Sequence, residues 1–231
     1  DKIYPFLWFN LMKISKYGIL PLIVIATICF IFVGVLYFIN IPVLWSLIIL
    51  PILFMLFSLN FFRSPLPPGP KDNKVVYSPA NGKVVEVIEN ANEAEYIKGP
   101  VWKITIFLNV FDVHVNSSPV AGEVEYVNFV LGKKLNALDP RSSVENEYAL
   151  MGVKSESGIK ITVRQIAGLI ARRIICDVKK GDKVEQCGVV GMIRFGSRAE
   201  ICIPKESNFA PLVKVGDKVL CGVSPLGQFK N

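Results

Sequence analysis

The stretch "KKGDKVEQCG" (179–188) returns later in the chain as "KVGDKVLCG" (214–222). Both copies carry Lys-x-Gly-Asp-Lys-Val, with the glycine at 181 in one and at 216 in the other. Gly-Asp supplies a tight turn, and the valine that follows opens a strand. Outward from this repeat, "KVVEVIE" (83–89), "VWKITIFL" (101–108), "EVEYVNF" (123–129) and "IKITVRQ" (159–165) are short β-branched or aromatic runs with partial alternation. Turn signals separate them: Asn81-Gly82, Lys98-Gly99-Pro100, Ala121-Gly122 and Ser157-Gly158. Residues 75–231 are therefore expected to form a mainly β (α+β) domain. A short helix is expected near "QIAGLIARR" (165–173), and a polar, irregular, mobile loop over 130–150.

The paired turns resemble the two halves of a barrel-sandwich hybrid, the flattened β-sandwich of lipoyl and biotinyl carriers. Those carriers display a lysine at a hairpin tip, flanked as in Met-Lys-Met, and this chain has no such tip. The architecture can be shared while the chemistry differs.

The hydrophobic content of 52% and mean hydropathy of +0.44 exceed what a soluble enzyme carries, and the excess is local. From Tyr17 to Phe62 there is no Lys, Arg, Asp, Glu or His. One helical span needs about 20 apolar residues, so this run fits a two-helix transmembrane hairpin. The spans are 18–39 and 43–62, around the turn "INIP" (39–42). A cleavable signal sequence would have an apolar core of only about 7–15 residues and a small-residue cleavage site, which does not fit. Lys2, Lys13 and Lys16 precede the hairpin, and Arg63, Lys71 and Lys74 follow it. Positive flanks stay inside, which puts the domain on the cytoplasmic face of the inner cell membrane. Residues 1–16, apolar and basic, suit the interface. Residues 63–74, which begin "RSPLPPGPKDN", read as a Pro-rich linker.

A net charge of +7 suits a domain held against an anionic leaflet, where each basic residue adds about 1 kcal/mol of attraction. No nucleic-acid motif or dense Lys/Arg run is found, so nucleic acid is not expected as a partner. Cys29, Cys176, Cys187, Cys202 and Cys221 have no CxxC spacing. That argues against a zinc site and a disulfide framework, and reduced thiols with no metal are expected.

His114, in "NVFDVHVNSSPVAG" (109–122), is the only histidine. At period-two spacing it would share a strand face with Asp112 and Asn116. A carboxylate beside an imidazole raises its basicity and fixes its tautomer. The plainer alternative is a core histidine. In "MIRFGSRAEICIP" (192–204), Gly196-Ser197 interrupts a strand-like run, with Arg194 and Arg198 nearby. It reads either as a β-bulge or as a strained peptide whose serine hydroxyl attacks the preceding carbonyl. The nucleophile elbow GxSxG is absent.

Four ordered segments resemble one family. They are "FFRSP…VVYSPANGKVVEV" (61–87), "IFLNVFDVHVNSSPVAGEV" (106–124), "VRQIAGLIARRI" (163–174) and "GVVGMIRFGSRAEICIP" (188–204). Together they are similar to the phosphatidylserine decarboxylase family, in its short, membrane-anchored prokaryotic type. The resemblance implies a pyruvoyl enzyme that converts phosphatidylserine to phosphatidylethanolamine and carbon dioxide. It also implies self-cleavage between Gly196 and Ser197, into a β chain of 1–196 and an α chain of 197–231. Ser197 would become the pyruvoyl cofactor, and His114 would serve as base and proton donor. Arg172, Arg173, Arg194 and Arg198 would be partners for the lipid phosphodiester or the substrate carboxylate, anions that the guanidinium fork suits. The implied partners are phosphatidylserine, the membrane, and the α and β chains of one precursor, with a homodimer left open.

The chain departs from the family at one telling position. The family's Asp-His-Ser triad takes its aspartate from "SPADG", and this chain reads "SPANG", with Asn81 in that place. An amide can orient an imidazole but cannot stabilise the imidazolium by charge. In a serine protease the analogous change costs about 10⁴ in rate. Slow or blocked self-cleavage is expected, holding the chain as the proenzyme, unless Asp112 acts from the other side of His114. Smaller departures are Ser117, where arginine is common, and "NEYA" (146–149), where "NERN" is frequent. The alternatives are a catalytically inactive membrane-anchored lipid-binding homologue, an archaetidylserine decarboxylase, and a carrier domain of lipoyl type.

Overall fold

The computed structural model describes residues 13–39, 41–65, 69, 71–136, 139, 141–168, 174–194 and 197–230. The chain forms two compact units, 1–64 and 65–231.

In the first unit, helix α1 (Ile19–Ile39) is followed by a 3-10 segment (Pro42–Ile48) and helix α2 (Ile49–Phe61). Apolar side chains such as Phe30 and Phe38 stand open on α1, and neither helix has an acidic or basic residue in its end turns. A helix apolar all round belongs in a core or in lipid, and both stretches are long and apolar enough to cross a membrane. Hydroxyls are satisfied within their own helices: Thr27 Oγ1 donates to Ile23 O at 3.0 Å and Ser58 Oγ to Phe54 O at 2.7 Å. An apolar medium demands such internal pairing.

The second span differs from the continuous α-helix expected over 43–62. Pro51 has no N–H to offer the Leu47 carbonyl, so the preceding turns wind tighter, and Ile49 N donates to Ser46 O. The ends of the pair meet, because Ser15 N donates to Phe62 O at 2.8 Å and Ser64 N to Lys13 O at 2.7 Å. Lys13, Lys16 and Arg63 are thereby gathered at one end.

The second unit is mostly β. In chain order it contains β1 (Val75–Tyr77), β2 (Gly82–Glu93), β3 (Gly99–Leu108), β4 (Val115–Ser117) and β5 (Gly122–Val130). A short helix α3 (Ser142–Glu145) precedes β6 (Tyr148–Ser155), β7 (Lys160–Ile166), β8 (Ile174–Cys176), β9 (Lys183–Val184) and β10 (Val189–Ile193). Then come β11 (Ser197–Pro204), β12 (Phe209–Pro211), β13 (Lys218–Val219) and β14 (Pro225–Phe229). One sheet has eight strands in the order β13-β2-β3-β11-β7-β6-β5-β9. Two smaller sheets are β1-β14-β12 and β4-β10-β8. Ile104, Ile106, Val153, Val163, Ala199, Ile201 and Ile203 are among the residues that fill the core.

The sheet order reads as two matching halves, and the hydrogen bonds repeat with it. Ser78 Oγ donates to Ala80 O and Ser118 Oγ to Val120 O, both at 2.7 Å. Val84 N donates to Asp217 O and Val124 N to Asp182 O, both at 2.9 Å. Gly222 N closes on Ser78 O and Cys187 N on Ser118 O, both at 2.8 Å. "SPANGKV" (78–84) is therefore the structural partner of "SPVAGEV" (118–124), a second repeat that the sequence reading missed. The halves also exchange bonds: Tyr77 N donates to Pro119 O at 3.1 Å and Ser117 N to Pro79 O at 3.0 Å. A Cβ at Gly82 would overlap the Phe107 carbonyl oxygen, and one at Gly122 the Lys154 carbonyl oxygen. Both turns therefore need glycine for the close approach.

The loop expected over 130–150 is in its described part ordered. Asn146 is buried, and its Nδ2 donates to Leu135 O at 2.9 Å and to Ala167 O at 2.7 Å, while its Oδ1 accepts from Leu135 N. The helix expected near 165–173 is strand up to Ile166, and 169–173 lie outside the described residues.

Gly122→Ala is expected to destabilise the domain by about 1–3 kcal/mol through this overlap. Gly99→Ala, where a Cβ meets open space, should cost far less. Thermal unfolding in detergent compares the two, and equal melting temperatures would contradict the packing described.

Candidate active site

β11 is the centre of the large sheet. It pairs with β3 from Ser197↔Leu108 to Pro204↔Val101, and with β7 from Arg198↔Ile166 to Cys202↔Thr162. Alternation sends Ala199, Ile201 and Ile203 into the core and Arg198, Glu200 and Cys202 to the opposite face. Ser197 heads this strand fully buried, and its Oγ makes no hydrogen bond among the described residues. Buried hydroxyls are normally satisfied, so one left without a partner calls for an explanation in chemistry. Gly196 lies outside the described residues.

His114 is fully buried just before β4. Its carbonyl accepts from Ile193 N at 3.1 Å, which ties it to the end of β10, four residues before Ser197. Its Nδ1 lies 2.9 Å from the Asp112 backbone carbonyl. A carbonyl can only accept, so Nδ1 carries the proton and Nε2 is the basic nitrogen. The carboxylate of Asp112 is used elsewhere, accepting from Asn109 N at 2.8 Å. The chain turns at 109–112 instead of running extended, which is why period-two spacing does not describe this stretch.

Asn81 is buried, and its Oδ1 accepts from Cys221 N at 2.7 Å. Cys221 Sγ in turn donates to Ser117 Oγ at 3.1 Å. Burial pushes the Cys221 thiol up to about 12, so it stays neutral and a donor. Asn116 is committed to a buried amide network. Its Nδ2 donates to Pro79 O at 3.3 Å, and its Oδ1 accepts from Gln165 Nε2 at 2.8 Å. The turn bearing Asn81 and the segment after His114 are thus joined through side chains as well as backbone.

Among the arginines, Arg198 is buried on the face away from the core. Its Nη1 donates to Ser143 Oγ at 2.7 Å and to Ser142 Oγ at 3.2 Å, and lies 4.0 Å from Glu200 Oε1. Ser143 Oγ donates onward to Glu200 at 2.6 Å. Arg194 is half-buried between β10 and β11. Arg172 and Arg173 lie outside the described residues.

Over residues 54–226 the sequence matches the phosphatidylserine decarboxylase family. It is 45% identical over 183 residues to a phosphatidylserine decarboxylase proenzyme of Carboxydothermus hydrogenoformans, covering 79% of this chain and 84% of that one. The chain belongs to the phosphatidylserine decarboxylase family. A proenzyme of the same name from Syntrophus aciditrophicus is 44% identical over 181 residues, covering 78% of this chain and 84% of the relative. One from Desulfotalea psychrophila is 42% identical over 183 residues, again covering 78% and 84%. Family membership makes the protein an enzyme of the carboxy-lyase class.

Ser197, His114 and Asn81 are the candidates the sequence offers, but several of their neighbours escaped the sequence reading. Gln165 sits in the quoted "VRQIAG", which was its one signal. Ser142, Ser143 and Glu200 meet Arg198 only through tertiary folding. Cys221 reaches Asn81 from the second Lys-x-Gly-Asp repeat.

Burial also pushes the Cys202 thiol up to about 12. Iodoacetamide at mildly alkaline pH should leave Cys202 and Cys221 unmodified in the native protein and modify both after denaturation. Native alkylation of Cys221, read by peptide mass, would contradict the packing around Asn81.

Proposed function

We propose that this chain is the precursor of a pyruvoyl-dependent enzyme that decarboxylates phosphatidylserine to phosphatidylethanolamine. The observation that carries this is the buried Ser197 hydroxyl, without a described hydrogen-bond partner, immediately after Gly196 in a member of this family. In the step proposed, Ser197 Oγ attacks the Gly196 carbonyl and the amide becomes an ester. Loss of the Ser197 α-proton then expels the Gly196 carboxylate and leaves dehydroalanine, which water converts to pyruvoyl and ammonia. The residues present fit such a group, because its parent side chain is already buried at the head of a rigid strand. The pyruvoyl ketone supplies the electron sink for the pair released when the substrate carboxylate departs as carbon dioxide.

The chain's own residues supply the rest. His114, with the Asp112 carbonyl holding its tautomer, is the base that accepts the serine proton and later the donor to the substrate carbon. Arg194, three residues before Ser197, is a candidate for a headgroup anion, and Arg172 and Arg173 stay candidates on sequence grounds. Arg198, held by two serines and Glu200, acts as a positioning residue for Ser197.

Asn81 occupies the position of the family aspartate. Because the Asp112 carbonyl already fixes the His114 tautomer, what Asn81 removes is the charge that would steady an imidazolium. Self-cleavage is accordingly slow. Asn81 also favours a second reading, an inactive membrane-anchored lipid-binding homologue. Anchoring by α1 and the second span, with the basic flank on the cytoplasmic side of the inner membrane, keeps the domain beside a substrate that stays in the bilayer. The same chemistry would serve a diether lipid, archaetidylserine.

Asn81→Asp should speed conversion to chains of 1–196 and 197–231 by up to about 10⁴, followed as a time course on denaturing gels. Adding His114→Ala should abolish it. No cleavage after Asn81→Asp would favour the inactive homologue. Because β11 is paired on both sides, the two chains should co-purify natively and part only on denaturation.

A further inference from the structure

The two halves of the domain contain their own comparison. Each builds its Lys-x-Gly-Asp turn in the same way: Lys214 N donates to Asp217 Oδ2 at 2.9 Å, and Lys179 N to Asp182 Oδ2 at 2.8 Å. Each short strand that follows pairs beside the residues after a Ser-Pro turn, β13 on β2 and β9 on β5. The backbone is matched, so the fold leaves the outward side chains free to differ.

They do differ. In the first copy the outward positions include Asp177, Lys180 and Glu185, all exposed. Glu185 pairs with Lys71 at 2.7 Å, and Lys183 faces Glu123 across the ladder. In the second copy the corresponding positions are Leu212, Val215 and Leu220, which are 56%, 60% and 40% exposed. There Lys218 faces Lys83, with Lys214 exposed beside them. Like charges directly opposite on a ladder are destabilising, and among the described residues no carboxylate forms an ion pair with any of these three lysines. Aliphatic side chains held in water forgo the gain of burial. The twin's Lys179, Lys180 and Lys183 are exposed too, so what sets the second hairpin apart is its exposed aliphatics and the pairing of Lys218 with a lysine instead of a glutamate. Exposed aliphatics on the same hairpin as exposed lysines match an anionic lipid surface, which takes the apolar tip below the headgroups and the ammonium groups at the phosphates.

We propose that the 212–220 hairpin, together with Lys83, is a docking surface for an anionic bilayer. Leu212, Val215 and Leu220 enter the boundary between headgroups and acyl chains, and Lys83, Lys214 and Lys218 meet the phosphates. The proposal rests on the reading of the chain as membrane-anchored. It adds a second contact close to the site, because β13 pairs with the start of β2, and Asn81, just before β2, accepts from Cys221 N, just after β13, at 2.7 Å. Docking there brings the headgroup layer up to the candidate active site.

The test uses the full chain in vesicles of phosphatidylcholine with phosphatidylglycerol, or of phosphatidylcholine alone. A benzophenone photo-crosslinker is encoded singly at position 215, at its counterpart 180, or at position 30 on α1. Lipid adducts are expected at 30 in both vesicles, at 215 chiefly in the anionic ones, and little at 180. Lys83→Gln, Lys214→Gln and Lys218→Gln should each lower the yield at 215 by about fivefold. Adducts at 30 with none at 215, equal yields at 215 and 180, or yields unmoved by the lysine variants would overturn the docking surface and leave the anchor standing. A protein adduct at 215 would overturn it in favour of a protein partner. No lipid adduct at 30 would remove the anchor itself.

Discussion

Two backbone hydrogen bonds, Tyr77 N to Pro119 O and Ser117 N to Pro79 O, cross between the halves of the β domain and hold the candidate site together. Each joins buried groups that would otherwise lose their partners on leaving water. They set the two Ser-Pro turns back to back. One turn leads into Asn81, and the other is reached directly from His114. Gly222 and Cys187 close the same turns from the paired hairpins, and the hydrogen bond that Gln165 Nε2 donates to Asn116 Oδ1 ties the arrangement to β7. Residues far apart in sequence are fixed here by backbone geometry before any side-chain chemistry is asked of them.

That scaffold accounts for why a chain could be cut inside its β domain and stay folded. The bond between 196 and 197 precedes β11, whose eight residues are all buried and are bonded to β3 along their whole length. The sheet does not depend on the peptide that the proposed chemistry destroys. On the outer face, burying the Arg198 guanidinium is costly unless it is well partnered. Ser142, Ser143 and Glu200 partner its Nη1, one residue along from the head of the strand.

Much of this was legible in the sequence, and the gaps have physical causes. The apolar run and the Lys-x-Gly-Asp repeat are local patterns, so composition and turn chemistry reveal them. The match of 78–84 with 118–124 is hidden because Asn81 answers to Ala121 and Lys83 to Glu123, and only the shared hydrogen bonds expose it. His114 was legible as a candidate, but its orienting group was not. Spacing suggested a carboxylate, whereas a turn at 109–112 brings a backbone carbonyl instead. The 3-10 start of the second span follows from Pro51, whose effect reaches back through a missing N–H. Asn146, which orders part of a polar stretch that looked irregular, works through buried carbonyls that no local pattern announces.

All of the proposed chemistry requires that Ser197 become a ketone. The most direct measurement is the intact mass of the C-terminal fragment recovered from the chain after prolonged incubation. Residues 197–231 should be lighter than the serine peptide by one ammonia, and reactive with hydroxylamine at the first residue. A fragment that keeps a free serine amine at 197, the product of plain hydrolysis, would contradict it.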